Sequence, residues 1–324
     1  MKRIVLFDPS YGTYNTGDNI IKESAVKELS FVLEGNYIVN IGTHNPVWHS
    51  YQMMWKKNYG MRFVDNADFK FLLGTNIIKK NMLTLRPDWN VNLFNYMPYI
   101  GTILVGAGLG TDFDKVNAYT KGLYKRILNK NFYHSVRDEK TKIFLESIGI
   151  KAINTGCVTT WDIDDKLCNN IPTSKSKNVI FTITDYSKDI CKDTALVNVL
   201  KENYDKVYFW PQGVEDYWYA KTITESGIIS INPGFESYKQ FLENNNVDYV
   251  GTRLHAGIFA IKHARRSIIV AVDNRAREMN RDFHFNMVER EEIEQKLDGM
   301  INTNLPTLCR CHYEAINEWK GQFN

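Results

Sequence analysis

Apolar positions along this chain follow two alternating rhythms. Short, nearly continuous apolar runs at residues 4–7, 37–41, 69–73, 102–105, 132–136 and 151–153 predict strands buried on both faces, as parallel strands are. Between them, residues 20–33 carry apolar side chains at helical spacing, and 116–128 and 141–147 also predict helices. The alternation starts again further on, with strands at 179–184, 206–210, 228–231, 248–250 and 268–272. Helices are expected near 189–203, 215–226, 238–244 and 256–263. Residues 164–177 break the rhythm with paired Asp, paired Asn, Pro172 and a Ser/Lys/Thr cluster, and read as a linker. Helical pattern returns at 290–301 and 311–320. The expected class is therefore α/β, with two Rossmann-like doubly wound domains. They span 1–165 and 178–305, joined by a linker at 166–177 and followed by a terminal helix within 306–324.

Length agrees with that division, since 324 residues suit two domains better than one. The formal net charge is only +3 and the charges are dispersed, which argues against a nucleic-acid partner and its concentrated basic stripe. No apolar run approaches a membrane span, and residues 1–8 are too short for a signal-peptide core, so a cytoplasmic protein is expected. Five cysteines do not suggest a disulfide framework in a chain of this size. Cys309-Arg310-Cys311-His312 lacks the paired spacing of a zinc module, so no metal is expected.

The stretch 247–260 scans as a buried strand, a short turn carrying Arg253 and His255, and a helix opening with small residues. In a parallel sheet that turn lies at the carboxyl end of the strand, where ligands bind, and the free amides of the next helix point at the same place. Arg253 has the fork geometry to grip a carboxylate or phosphate, and His255 the proton that moves near neutral pH. Pairing of Arg253 with a structural carboxylate, and capping by His255, account for the same residues equally well. Asn15, Thr16, Gly17 and Asp18 follow the first strand and precede a helix, as cap residues do. Gly106-Ala107-Gly108 follows the strand at 102–105 and is expected as a turn, serving either close backbone approach to a ligand or tight helix packing. Arg137 ends a strand before Asp138 and Glu139, where an ion pair is one role and ligand binding another. Arg275 begins a segment one strand beyond Arg253, and Trp210-Pro211-Gln212-Gly213 ends another strand of the same half. The aromatic and Met-rich stretch 49–55 suits either core or a sugar-stacking wall.

Residues 251–258, Gly-Thr-Arg-Leu-His-Ala-Gly-Ile, resemble the signature of the polysaccharide pyruvyl transferases. Four further pieces of that pattern occur in order: Asn15–Asp18, Gly106–Gly108, Ser135–Thr141 and Asn154–Cys157, with Val158 where many relatives have proline. The resemblance covers nearly the full length. It implies a GT-B-like arrangement of two facing domains, with the terminal helix crossing back to the first. It also implies transfer of pyruvate from phosphoenolpyruvate, as co-substrate with no other cofactor, to a sugar of a surface polysaccharide or its precursor, closing a cyclic ketal. On that reading Arg253, Leu254, His255, Arg275 and Arg137 bind the donor, while Asn15, Asp18, Gly106 and Gly108 bind the acceptor. Arg253, His255 and Asp18 then carry the catalysis. A lipid-linked acceptor and peripheral attachment at the inner face of the membrane are compatible with this reading, and oligomeric state is left open. A GT-B glycosyltransferase using a nucleotide sugar is the alternative, and a non-catalytic glycan-binding protein the third.

Overall fold

In a computed structural model of the chain, residues 1–48, 52, 59–84, 89–113, 115–224 and 226–323 are described. They form two compact units. Unit 1 comprises Met1–Thr13, Ile21–Trp161 and His312–Asn324, and unit 2 comprises Tyr14–Ile20 and Asp162–Cys311.

Unit 1 is built on a parallel sheet of β1 (Arg3–Asp8), β2 (Tyr37–Gly42), β3 (Phe69–Ile78), β4 (Thr102–Leu109), β5 (His134–Val136) and β6 (Ala152–Asn154), in the order β2-β1-β3-β4-β5-β6. Every residue of β4 is buried, which is why this strand reads as an unbroken apolar run. The core is filled by Phe7, Leu72, Leu104, Trp89, Tyr99 and Phe144 among others. The last helix, Tyr313–Gly321, belongs to this unit. Its Trp319 is fully buried and donates from Nε1 to the Tyr133 carbonyl at 2.9 Å, and Lys320 pairs with Glu28 at 2.6 Å. Phe323 completes the attachment with its ring 5.4 Å from that of Phe71.

Unit 2 repeats the architecture with β7 (Asn178–Thr182), β8 (Lys206–Phe209), β9 (Ile228–Ser230), β10 (Asp248–Gly251), β11 (Ser267–Ala271) and β12 (Met287–Glu289). The order β12-β11-β10-β7-β8-β9 is that of a dinucleotide-type doubly wound sheet, with its switch point between β7 and β10. At the opposite edge, Arg266 is fully buried and closes the fold. It pairs with Asp248 at 2.9 Å and donates to the carbonyls of Thr173, Met300, Ile301 and Thr303.

Several expectations are corrected. Residues 14–20 cluster with unit 2, and the expected linker contains a helix, Asp165–Asn170, capped by Asp164. Gly106 and Gly108 do not form a turn; they lie inside β4, which continues to Leu109 because β3 runs alongside it to Ile78. At Gly106 (φ +63°) an added Cβ would lie 2.9 Å from the Val158 nitrogen. The sixth strand, β12, is only Met-Val-Glu and gives no apolar run to read. Residues 290–301 are a 3-10 turn, a π turn and a short α-helix where one helix was expected. Of the aromatic stretch 49–55, all but Gln52 lies outside the described residues.

His134 sits between strands with both ring nitrogens used. Nδ1 accepts from the Leu104 amide at 3.1 Å, so the proton lies on Nε2, which donates to the Asn129 carbonyl at 2.9 Å. Burial pushes its pKa from 6.5 down to about 4. Between these values the unfolded chain takes up a proton that the folded chain refuses, so this contribution is whole above pH 6.5 and is lost as pH falls toward 4. Urea unfolding of the wild type should therefore lose on the order of 3 kcal/mol across this window from His134 alone. His134→Asn should remove that share of the pH slope; an unchanged slope would contradict the assignment.

Candidate functional site

The site is assembled where the strands of the second sheet end. β10 approaches β7 so closely at its last residue that a Cβ on Gly251 would lie 2.5 Å from Thr182 Oγ1 and 2.7 Å from the Thr182 nitrogen. Only glycine fits there. The Thr252 amide then donates to the Thr182 carbonyl and the Arg253 amide to Thr182 Oγ1. Beneath them the Tyr249 hydroxyl donates to the Arg253 carbonyl at 2.7 Å. The next helix, Leu254–Lys262, starts at Arg253 without a side-chain cap. A Cβ on Gly257 would meet Ile269 and Tyr249 at 2.8 Å, so this glycine sets the helix against the sheet. The glycines of the 251–258 signature are thus explained by packing alone, and the residues between them are left for chemistry.

Arg253 is almost fully buried, and its fork is turned on Asp216, which is wholly inaccessible. Nε donates to Asp216 Oδ2 at 2.9 Å and Nη2 to Asp216 Oδ1, and Nη2 also reaches Asp185 Oδ1 at 2.8 Å. The Asp216 carboxylate accepts in addition from the amides of Gly213 at 2.8 Å and Asp185 at 3.0 Å. Burial pushes the Asp216 pKa up, and the Arg253 guanidinium pulls against it. Of the two roles expected for the fork of Arg253, its paired face takes the one with a carboxylate of the protein. Its Nη1 makes no hydrogen bond among the described residues.

Arg275 joins the same place from the end of β11. Both guanidinium carbons lie near the Tyr186 ring, Arg253 at 5.1 Å and Arg275 at 5.0 Å from its centroid. Asp273, the cap of helix Asn274–Phe283, holds Arg275 at 2.5 Å and accepts from the Tyr186 hydroxyl at 3.0 Å. Burial works against the Arg275 charge, but Tyr186, Asp273 and Asp18 more than offset it, and its pKa stands above the ordinary arginine value. That electrostatic pull places Asp18, itself buried, within the influence of the second cation.

Asn15 arrives through a separate set of bonds. Gln212 Nε2 donates to Asn15 Oδ1 at 2.7 Å, and the Gln212 carbonyl accepts from the Thr16 amide at 2.9 Å and the Thr16 hydroxyl at 2.6 Å. Gly17 lies so near Gln212 that a Cβ would stand 2.6 Å from its Nε2. The result is a pocket of about 750 Å³ walled by Tyr14, Asn15, Asp185, Tyr186, Gly213, Val214, Glu215, Arg253 and Arg275. Leu254 and His255 stand on the first turn of the helix that Arg253 opens, partly buried, and are not among these wall residues. Among the described residues no cluster of His, Cys, Asp or Glu is arranged to hold a metal ion.

Gly106, Gly108 and Arg137 form a separate arrangement in unit 1. The Arg137 guanidinium lies across Gly108, where a Cβ would be 2.3 Å from Nε, and it pairs with Asp138 at 3.2 Å. Asp138 in turn caps helix Glu139–Ser147 by accepting from the Thr141 amide. Sequence reasoning missed Asp216, Asp185, Tyr186 and Tyr14. Asp185 and Tyr186 follow β7 as Arg253 follows β10, so the strand-end rule applied to Arg253 points to them too. Asp216 stands three residues after Gly213, at the first turn of a helix, which is a legible capping signal.

The family model for polysaccharide pyruvyl transferases matches residues 15–274, which reach from the Asn15 loop to the residue after Asp273. The chain belongs to the polysaccharide pyruvyl transferase family, and is therefore a pyruvyl transferase by kinship. Its fold recurs in a putative UDP-N-acetylglucosamine 2-epimerase from Listeria monocytogenes, with TM-score 0.53, 12% identity, and coverage of 100% of this chain and 96% of that one. The Neisseria meningitidis UDP-GlcNAc 2-epimerase, solved with UDP-GlcNAc, gives 0.51 at 14% identity, with 100% and 98% covered. An S. aureus MnaA structure solved with UDP gives 0.52 at 12%, with 100% and 96% covered. These likenesses establish two Rossmann-like α/β units of the GT-B kind. No curated protein matches the chain by sequence.

Removing the Asp216 carboxylate leaves a buried guanidinium and two backbone amides without their acceptor. Asp216→Ala should cost about 3–5 kcal/mol in urea unfolding, whereas Asp216→Leu combined with Arg253→Met should cost distinctly less than the sum of the single replacements. Additive losses would show that the pair is not coupled.

Proposed function

We propose that this chain transfers pyruvate from phosphoenolpyruvate to two hydroxyls of a sugar in a surface polysaccharide or its precursor, forming a cyclic ketal. One sugar hydroxyl adds to the enol carbon while the methylene gains a proton and becomes a methyl group. The second hydroxyl then displaces phosphate from the same carbon. A donor carrying a carboxylate and a phosphate needs fixed cations, and positive charge develops at the reacting carbon as phosphate departs.

The observation that carries this reading is the pair of guanidinium groups sharing Tyr186 in a pocket that also holds carboxylates. Arg253, through Nη1, and Arg275 hold the donor anion, with the uncapped first turn of helix Leu254–Lys262 adding amide donors. His255, on that turn, delivers the methylene proton or assists phosphate departure. Leu254 shapes the donor side. Asn15 binds acceptor hydroxyls, and Asp18 takes a proton from one of them. The wall carboxylates Asp185 and Glu215 suit hydroxyl recognition as well, since an anion alone would be repelled by them. Gly106, Gly108 and Arg137 keep the substrate-binding roles implied by the family motif.

Incubation of candidate sugar acceptors with phosphoenolpyruvate should release phosphate and raise the acceptor mass by a ketal-linked pyruvate. A hexose-sized gain from a nucleotide sugar would replace this reading with glycosyl transfer. Arg253→Lys, which keeps a charge beside Asp216, and His255→Ala should each lower phosphate release by about 10² or more in protein that still unfolds cooperatively. Near-normal turnover in either variant would remove that residue from the mechanism.

A further inference from the structure

Unit 1 carries a second recess, about 300 Å³, walled by Lys125, Lys130 and Lys151 together with Leu128, Asn129, Gly149 and Ile150. Its shape comes from backbone. Lys125 stands in the last turn of helix Ala118–Ile127, and Gly149, at φ +79°, turns the chain so that its Cβ position lies 3.5 Å from Lys125 Nζ. Lys151 extends over the Tyr133 ring at 5.6 Å. All three lysines are exposed.

Beside this recess lies a loop without charged residues that exposes large apolar side chains. From Trp89 to Thr111 the sequence has no charged residue, and from Lys115 to Arg137 it has six basic residues and no acid. The loop exposes Leu93, Met97 and Ile100, and Phe94 is 83% exposed. Two contacts hold it against the basic segment: Arg126 stacks on the Tyr96 ring at 5.2 Å, and Asn129 bonds through its side chain to the Gly101 carbonyl and through its amide to the Thr102 carbonyl. Asn129 is itself a wall of the lysine recess. Ile100, exposed beside Gly101, therefore adjoins a recess walled by three lysines, and Phe94 is exposed on the same loop.

We propose that this face of unit 1 docks on an anionic phospholipid membrane, the three lysines receiving a lipid phosphate while Phe94 and its neighbours enter the headgroup boundary. The charge pattern selects this occupant. A second copy of the chain, meeting the same patch across a twofold axis, would set lysines against lysines. A nucleic acid would leave Phe94 and Leu93 in water. Among the described residues no helix is long and apolar enough to cross a membrane. The proposal does not depend on which group the enzyme transfers.

The full chain should sediment with phosphatidylcholine vesicles containing phosphatidylglycerol, and not with phosphatidylcholine alone, and raised salt should release it. Replacing Lys125, Lys130 and Lys151 together by Gln should weaken partitioning on the order of a hundredfold, at about fivefold per lysine. Phe94→Ser, which alters one exposed side chain and no charge, should weaken it about tenfold. Three outcomes would overturn the proposal: wild-type protein left in the supernatant with anionic vesicles, vesicle binding that neither replacement alters, or a dimer that Phe94→Ser dissociates in the absence of any vesicle binding.

Discussion

A carboxylate with no access to solvent organises the end of unit 2 at which β7, β8 and β10 stop. Asp216 accepts from two nitrogens of Arg253 and from the amides of Gly213 and Asp185, so one side chain fixes the segments that follow β7, β8 and β10. Burying a charge in this way is tolerable only when nearly every lone pair is used, as it is here. The gain is positional. Arg253 cannot swing, and whatever its Nη1 meets in the pocket meets a cation whose orientation is set before any ligand arrives, so little reorganisation accompanies binding.

The pocket has its second cation through an unrelated route. Arg275 is held by Asp273, its own helix cap, and both share contacts with Tyr186, whose ring also faces Arg253. Two guanidinium groups are thereby kept close in spite of their repulsion, each with a carboxylate partner. A pocket walled by Arg253, Arg275, Asp185, Glu215 and Asn15 is not simply basic. It suits a ligand set in which an anion and a polyhydroxylated molecule are handled together.

Glycine does different work at different places in this chain. Gly251 and Gly257 remove side chains that would collide with Thr182 and with Ile269 and Tyr249, allowing strand and helix to close on the switch point. Gly108 provides the flat surface on which the Arg137 guanidinium rests, and Gly17 the space for Gln212. In each case a polar or charged group is held by backbone that a Cβ would push away. The family motif is then a composite, with packing positions framing the residues available for chemistry.

Much of the fold was written in the sequence. Residues such as Ile4–Phe7, Thr102–Val105 and Ile268–Val272 declare buried parallel strands because a strand covered on both faces has no solvent side to make polar. The turn at Arg253 could be placed at a strand end for the same reason, and Asn15 and Arg275 lie on the pocket wall with it. Local pattern could not reveal that Arg253 faces Asp216, thirty-seven residues earlier in the chain, or that Asn15 and Thr16 are bonded to Gln212. It also missed β12, whose Met-Val-Glu offers no apolar run, and took the interior of β4 for a turn because its glycines resemble turn residues. Apolar rhythm records which side of an element is buried, and so the sequence alone determined the two α/β sheets. Which carboxylate meets which guanidinium depends on directions fixed only when the sheets are wound, and that pairing belonged to the tertiary structure.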